Sequence, residues 1–324
     1  MHAALRFAAG VALAAPAAAV PTTTVLEALP GFADIDRTTT TQDIDFKRDR
    51  YDRMTVPVRV SGQGPYRFLV DTGADRTVVS SALAGRLKLI EGPTARMHSL
   101  TGTSQVRTAS VPRLDLGIDR TRSLDAAVLE AENMGADGIL GVDSLRSQRV
   151  LFDFRAGTLS IVPSARRSSR EDKGTIVVQG KLQKGHLIVT NATAQDMPVT
   201  IVLDTGAQMT IGNEALRRKL EARRKLGEPE PVVLISVTGA KLLGNVYHIK
   251  ELKIGDITLH RLAVVFADVQ TFHTLGLEER PTMLLGMNAM RAFDKVSIDF
   301  ARRKLRILLP EHSSADGVRM AARY

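Results

Sequence analysis

Cysteine and tryptophan are both absent from this sequence of 324 residues. Without cysteine the chain has no disulfide, no thiol nucleophile and no cysteine-ligated metal site, so its stability must come from packing. Apolar residues make up 44% of the sequence, and the length is sufficient for two cores of ordinary size. We therefore expect a globular protein, with two domains favoured over one.

Aromatic residues are also scarce, at 4%, although the formal net charge is +9. A nucleic-acid groove would need its basic residues on one face, together with aromatic side chains that stack on bases. The basic clusters are instead scattered along the chain, at 166–167, 217–219, 223–225 and 302–304. We interpret them as solvated surface and expect no nucleic-acid partner, while attraction to an anionic envelope surface stays open.

The N-terminal apolar run is too short to span a membrane, and no transmembrane segment is expected. This Ala-rich run begins at Phe7, directly after Arg6, and the small residues Ala17 and Ala19 offer a cleavage site. The pattern is typical of a secretory signal, which predicts a signal peptide over 1–19 and an exported protein, periplasmic or secreted. The alternative is an N-terminal helix that stays attached.

Several catalytic motifs are missing as well. The sequence contains no His-Glu-x-x-His, no Gly-x-Ser-x-Gly and no phosphate-binding loop rich in glycine with a lysine. These absences argue against zinc, serine-triad and nucleotide chemistry. We expect no cofactor and no metal.

A repeat organises the chain. The segment Asp-Thr-Gly-Ala follows an apolar run at 71–74, and the same segment follows another apolar run 133 residues later, at 204–207. Three further landmarks recur in the same order: 99–102 with 236–239, 114–117 with 252–255, and 138–141 with 283–286. The spacing drifts mainly within 271–281, which we interpret as a loop insertion in the second half. Self-similarity over this length indicates two related domains.

Short runs rich in Val, Ile, Leu and Thr, broken by turn residues, dominate both halves and favour β-strands. The clearest helix is expected over 214–226, capped by Asn213 and ended by Gly227. The predicted fold class is all-β with a few short helices. The predicted divisions after the signal are a lead-in at 20–50, a first lobe at 51–163, a linker at 164–174, a second lobe at 175–311 and a tail at 312–324.

The paired segments place two aspartates, Asp71 and Asp204, each at the end of an apolar strand. If the halves face each other about a pseudo-twofold axis, the two carboxyls meet and repel by roughly 5 kcal/mol at ~3 Å. The pair then shares one proton, so one carboxylate can act as general base on water while the other donates to a carbonyl oxygen. Two alternatives stay open: a duplicated β-domain whose aspartates only form turns, and a carboxylate metal site, for which no third acidic residue lies nearby in sequence.

These motifs resemble those of the retropepsin-like aspartyl peptidases, in particular exported bacterial members with two such domains in one chain. The resemblance covers roughly 55–310 and implies two closed β-barrel lobes related by a pseudo-twofold axis, with catalytic Asp71 and Asp204. It also implies that residues around each aspartate, and an apolar-apolar-glycine element in each half, support the active site. These supporting residues are Thr72, Gly73, Ala74, Ile139, Leu140, Gly141, Thr205, Gly206, Ala207, Leu284, Leu285 and Gly286.

The resemblance further implies a hairpin flap over each half of the cleft. By position the substrate-binding flap tips are Thr101 with Gly102 and Thr238 with Gly239, where Thr-Gly permits a tight turn. An ordinary surface hairpin is the alternative at each place. The sequence departs from better-known relatives here, because neither tip has the glycine-rich run of the viral enzymes and the first lacks the tyrosine of pepsin-like ones.

The sequence thus predicts an aspartic-type endopeptidase that hydrolyses peptide or protein substrates through an activated water. Because both motifs lie in one chain, we expect a monomer that contains an intramolecular pseudo-dimer. The alternative function is an envelope protein that binds extended peptides in the same cleft without cutting them.

Overall fold

The computed structural model describes residues 54–100, 102–116, 123–165 and 174–310, together with the backbone of five short strands in the remaining stretches. These five strands are Ala4–Arg6, Ala12–Ala14, Asp43–Asp45, Lys47–Arg48 and Asp119–Thr121. Strands account for 54% of the structure and helices for 14%. The prediction of an all-β fold with a few short helices is therefore confirmed.

The first half of the chain forms an 11-stranded sheet that curls into a half-barrel. Three of the short strands, Ala4–Arg6, Lys47–Arg48 and Asp119–Thr121, belong to this sheet. Its remaining strands are Met54–Val60, Gln63–Val70, Val78–Ser80, Ile90–Ser99, Gly102–Val111, Leu114–Leu116, Leu124–Leu129 and Gly138–Leu140.

The second half forms another 11-stranded curled sheet, which includes the short strand Ala12–Ala14. Its remaining strands are Lys181–Gln183, His186–Val189, Ala192–Ala194, Met197–Pro198, Thr200–Leu203, Thr210–Gly212, Glu230–Ile235, Lys241–Ile254, Ile257–Phe266 and Thr282–Leu285. The described helices are Ser81–Arg86, Ala131–Met134, Val142–Leu145, Glu214–Ala222, Gln270–Leu275 and Met287–Met290.

The two lobes repeat one strand arrangement around each aspartate. In the first lobe, Gln63–Val70 pairs in parallel with Gly138–Leu140, which pairs antiparallel with Val78–Ser80. In the second lobe, Thr200–Leu203 pairs in parallel with Thr282–Leu285, which pairs antiparallel with Thr210–Gly212. Each apolar-apolar-glycine element therefore lies beside the strand that carries the aspartate.

A six-stranded sheet joins the lobes. It contains Asp43–Asp45, Gln148–Asp153, Thr158–Pro163, Thr175–Gln179, Lys295–Asp299 and Lys304–Leu308. The closing strands of the two halves pair with each other here, with Val150 opposite Ile298, and their apolar side chains join a core cluster that extends into both lobes. The predicted linker falls between two strands of this sheet, and its residues 166–173 lie outside the described part of the chain.

Two local predictions need correction. Asn213 caps the helix as expected, since its side chain accepts the N–H of Leu216 at 3.0 Å, but the helix ends at Ala222 and not near Gly227. It ends early because Arg224 adopts a left-handed conformation with φ of 52°. The segment 271–281 is not simply a loop, because the helix Gln270–Leu275 occupies its first part and buries apolar side chains.

Several predicted segments lie largely outside the described residues. Of the predicted signal, the structure gives the backbone of Ala4–Arg6, parallel to Ile90–Ser99, and of Ala12–Ala14, antiparallel to Glu230–Ile235. The signal peptide, most of the lead-in and the tail stay predictions. Within the described ranges, every helix is too short or too polar to cross a membrane.

Candidate active site

Asp71 and Asp204 each follow the last residue of a strand, and both are buried, with 1% and 0% of their surface exposed. The neighbouring parallel strand holds the backbone of each aspartate. Asp71 N–H donates to the carbonyl of Leu140 at 3.0 Å, and Asp204 N–H donates to the carbonyl of Leu285 at 3.1 Å. The two predicted supporting elements therefore fix the backbone from which each carboxyl projects.

The threonine after each aspartate forms hydrogen bonds to the opposite lobe. Thr72 N–H donates to the Thr205 hydroxyl at 3.0 Å, and Thr205 N–H donates to the Thr72 hydroxyl at 3.0 Å. Each hydroxyl donates onward to a strand of the opposite lobe, from Thr72 to Leu203 O at 3.0 Å and from Thr205 to Val70 O at 2.7 Å. These four buried bonds join the two aspartate loops to each other.

The glycines allow the carboxyls to come close. Gly73 N–H donates to Oδ1 of Asp71 at 2.8 Å, while Gly206 and Ala207 N–H both donate to Oδ1 of Asp204 at 3.0 Å. A methyl group at Gly206 would overlap the carboxyl carbon and both oxygens of Asp71. The Asp71 carboxyl thus packs against Gly206 of the opposite loop, and the N–H of this same glycine donates to the Asp204 carboxyl.

The electrostatics of the site favour a bound proton. Burial and then the charge of Asp71 raise the pKa of Asp204 well above its ordinary value, and the backbone N–H groups of Ala207 and Gly206 offset only part of that rise. Asp204 therefore keeps its proton at pH values at which an exposed carboxyl would be ionised. A pair of carboxyls that holds a single proton has the protonation state required for acid and base roles in one step.

The two glycine elements support these loops from behind. Val142 N–H donates to Ala74 O at 2.8 Å, and Met287 N–H donates to Ala207 O at 2.9 Å. A side chain at Gly141 would overlap the backbone of Arg76, and one at Gly286 would overlap the backbone of Met209. Glycine is needed at both places because two backbones approach each other there. Ile139 and Leu284 are buried in a cluster that also contains Ala74 and Ala207.

Hairpins occupy both predicted flap positions. In the first, Ser99 pairs with Gly102, and Leu100 lies at the tip. The predicted tip residue Thr101 lies outside the described residues. In the second, Ile235 pairs with Lys241, and the turn contains Thr238 and Gly239, the latter with φ of 80°. The tip side chains Leu100 and Val237 are buried in the same apolar cluster as Ala74 and Ala207.

Each flap tip also contacts the opposite lobe. The carbonyl of Leu100 accepts the N–H of Gln270 at 3.0 Å, at the start of the helix Gln270–Leu275. Gly239 lies against the side chain of Asn133, within the helix Ala131–Met134. The contacts between the lobes therefore repeat as well, because each flap tip contacts a short helix of the other lobe.

Sequence reasoning missed three further groups. Thr77 and Thr210 each lie six positions after the aspartate of their lobe. The Thr77 hydroxyl donates to Asp143 and the Thr210 hydroxyl donates to Asn288. Both acceptors lie two positions after the supporting glycine of their lobe. This shared spacing is visible in the sequence. The third group is a contact between the lobes, from His186 Nε2 to Asp75 Oδ1 at 3.0 Å, for which the sequence gives no signal.

Within the ranges that the structure describes, no group of three or more His, Asp or Glu side chains is placed to hold a metal ion. Asp71 and Asp204 therefore lack a third side chain that could complete a carboxylate site among the described residues.

Family models match both lobes. A model described as gag-polyprotein putative aspartyl protease matches residues 56–147, and a model described as aspartyl protease matches residues 190–289. A comparison with curated proteins finds no match. Each matched range contains one Asp-Thr-Gly-Ala segment and its supporting glycine element. The chain therefore belongs to the retropepsin-like aspartyl proteases and carries two aspartyl protease domains, one in each lobe.

Proposed function

We propose that this chain is an aspartic endopeptidase in which Asp71 and Asp204 form one catalytic dyad and hydrolyse peptide bonds. The observation that carries this proposal is the set of four crossed hydrogen bonds through Thr72 and Thr205. They hold two buried aspartate loops from different lobes against each other. A duplicated domain in which the aspartates only formed turns would not need this arrangement.

The two aspartates take different roles. Because burial and the charge of Asp71 raise the pKa of Asp204, we assign the shared proton of the pair to Asp204 and the base role to Asp71. Asp71 removes a proton from a bound water as the water attacks the peptide carbonyl carbon, and Asp204 gives its proton to the carbonyl oxygen. As the C–N bond breaks, Asp71 gives its proton to the leaving nitrogen, and Asp204 recovers a proton from the hydroxyl that it had protonated. One water is consumed, the pair returns to its starting state, and no metal or other cofactor takes part.

The flap hairpins suit an extended peptide as the substrate. A peptide in the cleft would lie between the aspartate loops and the tips at Leu100 and Val237, which are apolar. Extended peptides bind such sites by backbone hydrogen bonds along strand edges, while pockets select side chains. The carbonyl of Leu100 accepts the N–H of Gln270, and Gly239 lies against Asn133, so both tips contact the opposite lobe and substrate entry would require the flaps to open.

The experiment is to incubate the purified protein with a mixture of unfolded proteins and to search for new peptide termini by mass spectrometry. Asp71→Asn is the matched control, because it changes one atom type and keeps the side-chain volume. We expect new termini with the native protein and none with Asp71→Asn. Peptides that are retained by both proteins without cleavage would instead support a peptide-binding function, and equal cleavage by both would contradict the dyad.

The pH dependence follows from the same assignment. Because the pKa of Asp204 is raised, the proton that the mechanism needs is present at low pH and is lost as the pH rises through that raised value. Cleavage should therefore decline on the alkaline side. A rate that stays constant into strongly alkaline conditions would contradict the role of Asp204 as the acid.

A further inference from the structure

The first strand of each flap hairpin pairs along one edge with the N-terminal part of the chain. The backbone of Ala4–Arg6 runs parallel to Ile90–Ser99 in the first flap, and the backbone of Ala12–Ala14 runs antiparallel to Glu230–Ile235 in the second flap. On its other edge, each flap strand pairs with the second strand of its own hairpin. Each N-terminal strand therefore covers a flap edge that would otherwise present unpaired N–H and C=O groups.

The register of these pairs is equivalent in the two lobes. Residues 4–6 pair in order with 96–98, and residues 12–14 pair in reverse order with 233–235. The partners in the second flap stand 137 positions after their counterparts in the first, which is also the offset between the flap tips Leu100 and Val237. The segment 4–14, which we call the N-terminal segment, therefore contacts the same place on each flap.

This register centres the N-terminal segment on the axis that relates the lobes. A twofold axis reverses the direction of one flap strand relative to the other, whereas a single segment keeps one direction. A segment that crosses the axis must therefore run parallel to one flap strand and antiparallel to the other, as observed. The same axis passes between Thr72 and Thr205, whose reciprocal hydrogen bonds join the two aspartate loops. The N-terminal segment and the aspartate pair thus share one axis.

The length of the connection between the two N-terminal strands also fits a path across the cleft. Residues 7–11 lie between these strands, and a chain of that length reaches at most about 20 Å. At the ends of the connection, the pairing partners are His98 and Ile235, each two positions before a flap tip. A connection of this length joins the two flaps near their tips and is too short to pass around a lobe.

We propose that the N-terminal segment occupies the substrate path between the flaps, so that a chain that keeps this segment is autoinhibited. An extended peptide substrate also binds by backbone hydrogen bonds along strand edges, and it therefore competes with the segment for the same edges. Because the segment is tethered, its effective concentration is roughly millimolar, which favours it over a free peptide of similar affinity. Loss of residues 1–19, the predicted signal peptide, removes the segment and exposes both edges. The proposal rests on the proposed function only for its cleavage readout.

Cysteine crosslinking tests the position of the N-terminal segment, because the chain has no cysteine of its own. Paired Cα atoms on neighbouring strands lie about 5 Å apart, which is within the range of a disulfide. The two matched pairs are Ala4→Cys with Arg96→Cys and Ala14→Cys with Val233→Cys. The mismatched control is Ala4→Cys with Val233→Cys. In the full-length protein, the matched pairs should form a disulfide and the mismatched pair should not, as measured by mass spectrometry of digested protein.

The two matched pairs lie on different flaps, so either one decides the matter if the other variant does not fold. Equal crosslinking of matched and mismatched pairs would overturn the proposal, because the N-terminal segment would then have no fixed place on the flaps. Absence of a disulfide in the matched pairs would overturn it as well.

Cleavage shows whether the crosslinked segment lies in the substrate path. Each oxidised matched pair should cleave an unfolded protein at least about 10-fold more slowly than the same protein after reduction. The native protein, which has no cysteine, is the control and should not respond to the reductant. Equal rates before and after reduction of the matched pairs would place the segment outside the substrate path and would overturn the proposal.

Peptide binding provides a readout that does not depend on catalysis. A fluorescently labelled peptide with the sequence of residues 4–14 is added to each matched pair in the Asp71→Asn background, and binding is followed by anisotropy. The reduced protein should bind this peptide at least about 10-fold more tightly than the crosslinked protein. Equal affinities would overturn the proposal. Binding that responds to the crosslink, with no cleavage by the native protein, would contradict the proposed function alone.

Discussion

Replacing the Thr205 hydroxyl tests whether the crossed threonine bonds hold the two loops together. Thr205→Val keeps the side-chain volume but removes the donor to Val70 O at 2.7 Å and the acceptor of Thr72 N–H at 3.0 Å. Thr205 is 4% exposed, so water does not replace these bonds freely. Each unpartnered buried polar group costs about 1–3 kcal/mol, and two such groups give a loss of about 2–6 kcal/mol in the free energy of unfolding.

Thr205→Ser is the matched control, because it keeps the hydroxyl and loses a methyl group worth about 1 kcal/mol. Unfolding in urea would be followed by circular dichroism, since the chain has no tryptophan for fluorescence. Displacement of the two loops should also lower kcat/KM of Thr205→Val by about 100-fold. If Thr205→Val is as stable and as active as Thr205→Ser, the crossed bonds do not organise the site and the reasoning fails.

Three further predictions come from neighbouring contacts and from the N-terminus. Gly206→Ala should lower kcat/KM by at least about 100-fold, because the added methyl group would displace the Asp71 carboxyl. The control is Gly227→Ala, whose added methyl group meets open space and should leave kcat/KM unchanged. Equal kcat/KM values for the two variants would show that the Asp71 carboxyl is not packed on Gly206. His186→Ala should lower the free energy of unfolding by about 2 kcal/mol, because it removes the partner of Asp75 between the lobes; an unchanged urea midpoint would mean that this pair does not stabilise the lobe contact. Protein purified from the cell envelope should begin near Val20 if 1–19 is a signal peptide, and N-terminal sequencing that finds Met1 would contradict this prediction.

The two aspartate loops were predictable because their chemistry is local in sequence. A strand, Asp-Thr-Gly-Ala and a distant glycine element recur in both halves, and the parallel strand pairs place these elements side by side. Thr72 and Thr205 were predicted only as residues that support the active site. Their real partners lie across the lobe contact, and no spacing within either half specifies a contact between halves.

Other features depended on tertiary packing. The helix Gln270–Leu275 lies in a segment that was interpreted as a loop insertion because the repeat spacing drifts there. Phe272 and Leu275 are nevertheless buried in the same apolar cluster as the first flap tip at Leu100. The helix Glu214–Ala222 ends early because the backbone of Arg224 adopts a left-handed conformation. The sequence did not predict this conformation, since arginine is not a residue type that favours it. Asp143 and Asn288 could have been found by comparing the residues after the two supporting glycines.

The central claim is that Asp71 and Asp204 of one chain form a single hydrolytic site. The most direct measurement is cleavage of an unfolded protein by the native chain, by Asp71→Asn, by Asp204→Asn and by a mixture of the two variants, over a series of dilutions. We expect a constant specific activity for the native chain at every dilution, and no cleavage by either variant or by the mixture, because the lobes are joined within one chain by a shared sheet. Activity in either single variant would contradict the dyad, and activity that appears only on mixing would show that lobes of different chains assemble the site.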